Sequence, residues 1–360
     1  MSPANRIGKW LKAASEALTV PVLATALGLL VGTLFILLAG KNPLEAYAAF
    51  AQAVAGEPRM FGETLVSSIP LVFTGLAVML AFRCGLFNIG VEGQYLLAQV
   101  FAAWAGFALV LPGWLHPVVA MLAGMVAGAL WASIVGLLKA YRGVHEVISS
   151  IMLNYTGLYL SHYLLLYYLR DPGGAFGAAT PAIRPTAALT QGLIAGSRLH
   201  TGLWVALLAA FLVWVFLWKT PAGYEVRAVG LAPGAAEYGG ISVAKNIVLA
   251  MALSGALTGL AGAVQTLGLN GKFYEPGGFV GYGFDGIAVA LVGRNHPVGV
   301  VLAALLFGAL ERGGPIMQAV AGVPRAVIWV VQGTVIFFVA VEGLWRFLQR
   351  RRAAQEVKAA

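Results

Sequence analysis

The chain has 360 residues, of which 60% are hydrophobic and only 10% are charged, and its formal net charge is +9. Soluble domains carry about 25% charged residues, so this composition excludes an ordinary soluble protein and indicates an integral membrane protein. Nucleic-acid binding is not indicated, because the basic residues are spread thinly between apolar stretches and form no clustered face. The single cysteine, Cys84, excludes an internal disulfide, and no Cys/His spacing fits a metal site.

A basic tail over residues 1–17 precedes the first apolar stretch. Such a start is also typical of a signal peptide, but this stretch exceeds the roughly 7–15 apolar residues of a signal sequence and ends without a cleavage site. We therefore interpret it as an uncleaved membrane span. The predicted parts of the chain are a cytoplasmic tail (1–17), a transmembrane domain (18–346) and a second basic cytoplasmic tail (347–360).

The transmembrane domain consists of apolar stretches separated by short polar breaks. A helix needs about 20 mostly apolar residues to cross the hydrocarbon, and most of the stretches reach this length. The eighth and ninth are short and rich in glycine, which indicates broken or half helices. The sequence predicts an all-α polytopic membrane protein with about ten transmembrane helices, at residues 18–39, 63–82, 86–110, 115–138, 147–169, 200–218, 246–269, 279–293, 297–312 and 325–346.

The distribution of basic residues predicts the orientation. With the N-terminus in the cytoplasm, most of the 23 lysines and arginines lie on the cytoplasmic side. Both tails are basic, and an even number of spans returns them to the same side. In this topology residues 219–241 form a cytoplasmic segment, and after Pro233 this segment can form only a short helix, ended by Gly239 and Gly240. The segment is either a docking surface or a solvated connector.

Polar side chains within apolar stretches must be paired, hydrated or functional. Glu92 lies in the glycine-rich start of the third stretch, so it is predicted to face the bundle interior together with Asn88 and Gln94. There it either lines a path or ties helix ends together. Asp285 precedes an apolar run, as an N-cap residue does, and direct contact with a solute is the alternative.

Further buried hydrogen-bonding candidates are Asn154 and Tyr155 in the fifth stretch and Gln265 in the seventh. Pairs of glycines with the spacing of close helix packing are Gly28 and Gly32, Gly124 and Gly128, and Gly255 and Gly259. In a chain with 46 glycines chance alone makes several such pairs, so generic packing is the favoured interpretation.

Two absences narrow the function. His145 and Glu146 do not begin an H-E-x-x-H zinc motif, because Ser149 stands where the second histidine is needed. The chain also lacks a phosphate-binding G-x-x-x-x-G-K-[ST] loop. If ATP drives this protein, another subunit hydrolyses it.

Four strings in order, starting at residues 81, 143, 224 and 284, carry a family resemblance. They read AFRCGLFNIGVEGQ, GVHEVISSIMLNY, YEVRAVGL (with AAEYGGI soon after) and FDGIAVALVG. Together they resemble the permease family of bacterial ABC importers for simple sugars, nucleosides and branched-chain amino acids, and FNIGVEGQ is most similar to the nucleoside-type permeases. His145 departs from the asparagine that commonly precedes Glu-Val-Ile in this family.

The resemblance implies roles for individual residues. It places near the translocation path the residues Asn88, Glu92, Gln94, Asn154, Tyr155, Gln265, Phe284 and Asp285. It assigns the cytoplasmic segment to a coupling helix that docks on an ATP-binding subunit, through Tyr224, Glu225, Arg227, Ala228, Val229, Gly230, Ala235, Ala236, Glu237, Tyr238 and Gly239. Replacement of Gly230 or Glu237 is then expected to uncouple ATP hydrolysis from transport and to leave the fold intact.

The resemblance also implies partners. These are ATP-binding subunits, a second permease subunit of a different sequence, a periplasmic or lipid-anchored solute-binding protein, membrane lipid and a small polar solute. The chain itself is expected to hold no catalytic residue, metal or cofactor, and the partner subunit uses ATP and magnesium. The location implied is the bacterial inner membrane.

Nucleosides are the expected solute, and an uncharged cavity lined by amides, hydroxyls and aromatic rings would suit them. A simple sugar such as a pentose is the alternative within the same class. An alternative of another class is a secondary transporter that uses Glu92 and Asp285 as ion-coupling carboxylates. A membrane-embedded enzyme is disfavoured, since the sequence shows no recognisable nucleophile, acid–base pair or metal cluster.

Overall fold

The computed structural model of the chain describes residues 23–173, 178–339 and 341. The described part is helical, with two five-residue π-helical turns and isolated β-bridges between Ala179 and Tyr274 and between Gln191 and His200. The predicted tails, 1–17 and 347–360, lie outside the described residues. The helices, numbered in chain order, are α1 Leu23–Leu38, α2 Pro43–Ala55, α3 Pro58–Arg83, α4 Val91–Ala108, α5 His116–Arg142, α6 Glu146–Leu164, α7 Gly202–Lys219, α8 Pro221–Leu231, α9 Pro233–Tyr238, α10 Val243–Gln265, α11 Tyr282–Val292, α12 Pro297–Ala321 and α13 Ala326–Val339. The π-helical turns Leu165–Leu169 and Thr266–Asn270 extend α6 and α10.

Each of the ten predicted apolar stretches coincides with a helix over its described residues. Of the described helices, α3, α5, α7, α12 and α10 with its π-helical turn are long and apolar enough to cross a membrane. Helices α1, α11 and α13 are apolar but shorter. The all-helical, multi-span class of the fold is therefore confirmed, and the number of ten spans stays a prediction.

Helix α2 is an element that the sequence reasoning did not predict. It lies between the first two predicted spans, and with 13 residues it is too short to be recognised as a span. Its start has a recognisable signal, because Asn42 accepts a hydrogen bond from the amide of Leu44 at 3.0 Å and Pro43 occupies the first helical position.

The described fold forms two compact units. One comprises Met1–Gly56 and Leu310–Ala360, and the other comprises Glu57–Ala309. In the first unit, Gly28 and Gly32 of α1 lie against Val331 and Val335 of α13. In the second unit, the long helices α3 and α10 are largely enclosed, and α4 and α11 pack against α3. The buried polar residues predicted for the solute path belong to this second unit.

Helices α5 and α10 meet through their glycines. A Cβ atom on Gly128 would overlap the carbonyl oxygen of Gly255, and one on Gly259 would overlap that of Gly124. The two small-residue patterns therefore face each other, and the interpretation of these two pairs as generic packing was wrong. Only the absence of a side chain lets the two backbones approach so closely.

The glycine contact predicts a strong dependence of stability on residue 128. A valine there has to displace the backbone of α10, and overpacking of this kind costs about 1–3 kcal/mol. We expect Gly128→Val to lower the melting temperature of the protein in detergent. Gly234→Ala is the control, because a Cβ there meets open space. Equal melting temperatures for the two variants would contradict the close approach of α5 and α10.

Candidate functional site

A buried polar network surrounds the start of α4. Asn88 donates to the hydroxyl of Ser254 at 2.8 Å and to the amide oxygen of Gln94 at 3.2 Å. Gln94 returns a hydrogen bond to the side-chain oxygen of Asn88 at 3.0 Å. The serine in turn donates to the carbonyl of Ala77 in α3 at 2.7 Å. The two predicted amides are thus brought together, and their hydrogen bonds link α3, α4 and α10.

Asn154 connects α6 to the start of α4 through hydrogen bonds. Its side-chain oxygen accepts a hydrogen bond from the amide of Gly93 at 2.8 Å, and its amide nitrogen donates to the carbonyl of Ile89 at 2.8 Å. Gly157 and Gly93 also lie so close that a Cβ on Gly157 would meet the backbone of Gly93 at 2.9 Å. The irregular backbone before α4 is therefore held by protein groups on several sides, as irregular backbone at membrane depth must be.

Glu92 closes the start of α11. Its side chain is fully buried, and its two oxygens accept hydrogen bonds from the amides of Gly283 at 2.6 Å and of Val280 at 3.2 Å. A carboxylate at a helix N-terminus also meets the positive end of the helix dipole. Of the two interpretations that the sequence left open for Glu92, the geometry shows the tie between helix ends. Contact with a solute stays a prediction.

Asp285 does not have the predicted N-cap position. Helix α11 begins at Tyr282, and Gly281 is its N-cap residue in the left-handed region, with φ of 102°. Asp285 lies in the first turn, where its amide donates to the carbonyl of Gly281 at 2.9 Å. The N-cap interpretation was wrong because glycine permits the sharp entry and Glu92 supplies the acceptor.

Aromatic rings form a half-exposed cluster beside the start of α11. Tyr155 of α6 lies edge-on to Phe279 with ring centroids 5.2 Å apart, and Phe279 lies edge-on to Phe284 at 6.1 Å. The predicted residues Tyr155 and Phe284 thus belong to one cluster. Phe279 was missed, and the signal that could have found it is its place in the glycine-rich entry to α11. Gln265 lies at the end of α10, outside this cluster.

The predicted cytoplasmic segment consists of α8 and α9. The expected short helix after Pro233 is present and ends at Tyr238. Between the two helices lies an open groove of about 400 Å³, lined by Pro221, Tyr224, Glu225, Ala228, Ala232, Ala235, Ala236, Gly239 and Ile241. The outer rim of the segment, at the ends of the two helices, is highly exposed: the exposed fraction is 97% for Tyr238 and 87% for Leu231.

The base of this segment is attached firmly to the helix bundle. Gly230 lies against the backbone of Arg83 and Cys84, where any Cβ would overlap. Asn246 of α10 donates to the carboxylate of Glu225 at 3.1 Å. Replacement of Gly230 therefore disturbs the fold, and the expectation that it would not was wrong.

A stacked group of charged and aromatic side chains strengthens the attachment. The guanidinium groups of Arg83 and Arg227 lie 5.1 and 5.8 Å from the ring centroid of Trp218. Arg83 also donates to the carbonyl of Asn295 at 2.9 Å, and the His296 ring lies 5.2 Å from Trp218. Burial, together with the charge of Arg83, lowers the pKa of His296, so this ring is neutral at pH 7.

The capping role of Glu92 predicts a local loss of structure when it is removed. Glu92→Ala leaves two buried amides without acceptors, which costs about 1–3 kcal/mol for each group. We expect faster hydrogen–deuterium exchange in peptides covering residues 280–285, with a smaller effect for Glu92→Gln, which keeps one carbonyl oxygen.

Ser149→Ala is the matched control for this experiment, since the buried Ser149 hydroxyl bonds only to carbonyls of its own chain segment, those of His145 and Glu146. Exchange in Glu92→Ala as slow as in this control would show that the carboxylate does not hold α11.

Comparison with known proteins matches residues 60–340 to the family described as the permease component of branched-chain amino acid transport systems. The chain is 43% identical to the guanosine ABC transporter permease protein NupP of Bacillus subtilis, over 92% of this chain and 95% of that protein. It is 37% identical to the nucleoside ABC transporter permease protein NupB of Lactococcus lactis, over 90% of each chain. It is 34% identical to a glucose ABC transporter permease protein of Haloferax volcanii, over 94% of this chain and 90% of that protein.

Proposed function

The chain belongs to the permease family of branched-chain amino acid transport systems, and we propose that it forms the translocation path of an ATP-driven importer for nucleosides. It is a multi-pass membrane protein and a transport component, not an enzyme. The names of the two relatives at 43% and 37% identity support the nucleoside as solute. The glucose permease at 34% identity keeps a simple sugar, such as a pentose, as the alternative.

The observation that carries the ATP-driven mechanism is the α8–α9 segment. Its outer rim is exposed while its base is locked onto α3 and α10, so a partner bound in the groove can move the bundle. We assign this surface to docking of the ATP-binding subunit, which uses ATP and magnesium. The segment then lies in the cytoplasm, with both termini on the same side of the inner membrane and about ten spans between them.

The remaining partners follow from this assignment. A periplasmic or lipid-anchored binding protein delivers the solute to the outer side, and a second permease of different sequence completes the path. ATP-driven closure of the partner subunits shifts the bundle between outward-open and inward-open states. In this cycle α4 and α11 move together, because Glu92 ties their ends.

The arrangement of Glu92 disfavours the ion-coupled alternative. A coupling carboxylate has to gain and lose a proton or sodium ion during each cycle. Both oxygens of Glu92 accept hydrogen bonds from the amides of Val280 and Gly283, which hold the side chain in a fixed position at the start of α11. Because Glu92 serves as a cap for α11, we assign the driving force of transport to ATP hydrolysis by the partner subunit.

Reconstitution of the complete importer tests this function. In proteoliposomes with the binding protein outside and ATP inside, we expect uptake of tritiated guanosine that requires hydrolysable ATP and magnesium and is unaffected by an uncoupler. Uptake by this chain alone, or uptake abolished by the uncoupler and by Asp285→Asn, would establish the ion-coupled alternative instead.

If the ATP-binding subunit docks on the α8–α9 segment, mutation of that segment should weaken the binding of this subunit. Tyr238→Ala removes an almost fully exposed side chain of the outer rim without touching the bundle, so we expect the ATP-binding subunit to co-purify poorly and ATP-driven uptake to fall. Tyr141→Ala is the matched control, since Tyr141 is 68% exposed at the end of α5 on the same predicted side. Equal co-purification with both variants would contradict docking at this rim.

A further inference from the structure

Helix α6 presents an unusual outer face. Tyrosines recur there every fourth residue, and they remain exposed to an extent of 48% for Tyr155, 67% for Tyr159, 46% for Tyr163 and 73% for Tyr167. We call these four residues the tyrosine face. Spacing by four places them in one row along the helix. Rings at 163 and 167 contact each other, with centroids 4.9 Å apart.

The outer face of α5 shows what a lipid-facing row looks like in the same unit. Its exposed residues at the same spacing are all aliphatic from position 118 to position 134: Val118, Leu122, Val126, Leu130 and Ile134. Such a row suits hydrocarbon, which offers no hydrogen bonds. We therefore infer that the tyrosine face of α6 and the aliphatic face of α5 contact different surroundings.

Position along the helix excludes the ordinary explanation for membrane tyrosines. Tyrosines collect at the two membrane–water interfaces, and this accounts for Tyr167 near the helix end. Tyr155 and Tyr159, however, lie about 14 and 20 Å from the first residue of α6 at a rise of 1.5 Å per residue. These distances reach the middle of a hydrocarbon core about 30 Å thick.

The hydroxyls at this depth need a polar environment. Over the described residues the hydroxyls of Tyr155 and Tyr159 make no hydrogen bond with protein, whereas those of Tyr163 and Tyr168 lie 3.4 Å apart. An unpaired hydroxyl in hydrocarbon is costly, so water or a polar ligand has to cover this face. Residues 147–161 contain no Asp, Glu, His, Lys or Arg, and His162, which follows them, pairs with the carboxylate of Glu275 at 3.1 Å.

The tyrosine face is continuous with the start of α11. Tyr155 contacts Phe279, and Phe279 contacts the 45%-exposed Phe284, so aromatic rings run from α6 to the helix end that Glu92 holds. The π-helical turn Leu165–Leu169 lies at the other end of the row, and such turns occur frequently at functional sites.

We propose that the tyrosine face, with Phe279 and Phe284, is the wall of the translocation path on which the base of a nucleoside stacks. Aromatic faces bind bases through stacking with little dependence on sequence or type of base, and the phenol hydroxyls suit the ribose. The lack of acidic and basic side chains over residues 147–161 matches an uncharged solute. A row of equivalent rings lets the solute pass from one to the next. This inference rests on the proposed nucleoside importer function.

Cysteine accessibility tests whether the face is wet. Tyr159→Cys is treated, in permeabilised membranes of the complete importer, with a charged methanethiosulfonate reagent. Leu130→Cys is the matched control, because Leu130 is 66% exposed on α5, about 18 Å from Arg142 and so at a similar depth. The natural Cys84 stays silent, since it is buried and burial raises its pKa to about 12.

We expect Tyr159→Cys to react much faster than Leu130→Cys and guanosine to slow the reaction. Equally slow reaction of both cysteines would overturn the proposal, because lipid or the second permease would then cover the tyrosine face. Protection by ribose but not by guanosine would also overturn it.

Transport tests the stacking itself. Tyr159→Phe keeps the ring and Tyr159→Leu removes it, and loss of one stacking partner is expected to lower the rate of tritiated guanosine uptake about fivefold or more in the leucine variant. The control Leu130→Ala should transport as the parent does, and the phenylalanine variant should lose less of the rate than the leucine variant, because it keeps the ring. Leucine and phenylalanine variants of equal rate would refute stacking while the parent still imports guanosine. A parent importer that takes up ribose and no guanosine would instead refute the nucleoside function, and stacking with it.

Discussion

A buried carboxylate held by backbone amides organises the centre of this protein. Moving Glu92 out of water is costly, and hydrogen bonds from backbone amides at the start of α11 to both of its oxygens offset part of this cost. The arrangement holds the starts of two helices, α4 and α11, together. Helices α4 and α11 each start after a glycine-rich irregular stretch. The carboxylate on α4 accepts hydrogen bonds from backbone amides at the start of α11.

The packing around this tie is built from small residues and shared hydrogen bonds. Gly283 and Gly286 let α11 lie directly on α4 and α3, against Glu92 and Thr74. Asn88 and Asn154 then join the start of α4 to α10 and α6. Hydrophobic burial contributes little to association between helices surrounded by lipid, so close backbone contact and paired polar groups carry the specificity of the bundle.

Much of the architecture could be predicted from the sequence, since apolar stretches of sufficient length have few alternatives to a helix. The partner of Glu92 could not be predicted, because Gly283 is 191 residues away and a backbone amide has no residue signature. Local rules also misled: Asp285 has the sequence context of an N-cap, but the acceptor comes from α4. The role of the glycine pairs of α5 and α10 in helix packing is visible only in the structure, where the two pairs contact each other. A glycine pattern on one helix does not identify the helix that packs against it.

The candidate site, too, could be predicted only in part from the sequence. Its amides and its acid were identifiable from polarity within apolar stretches, yet the structure shows that Asn88, Gln94 and Asn154 use their hydrogen bonds on the protein itself. The aromatic row of α6 was largely overlooked, since tyrosine in a membrane helix usually indicates an interface and only the depth of Tyr155 and Tyr159 distinguishes these residues.

The contact of Gly230 with the backbone of Arg83 and Cys84 has a mechanical consequence. Helix α3 has 26 residues and therefore extends about 39 Å, further than the hydrocarbon is thick. Because two peptide backbones touch there with no side chain between them, no soft layer can absorb a displacement. A displacement of α8 would therefore be passed directly to the end of α3.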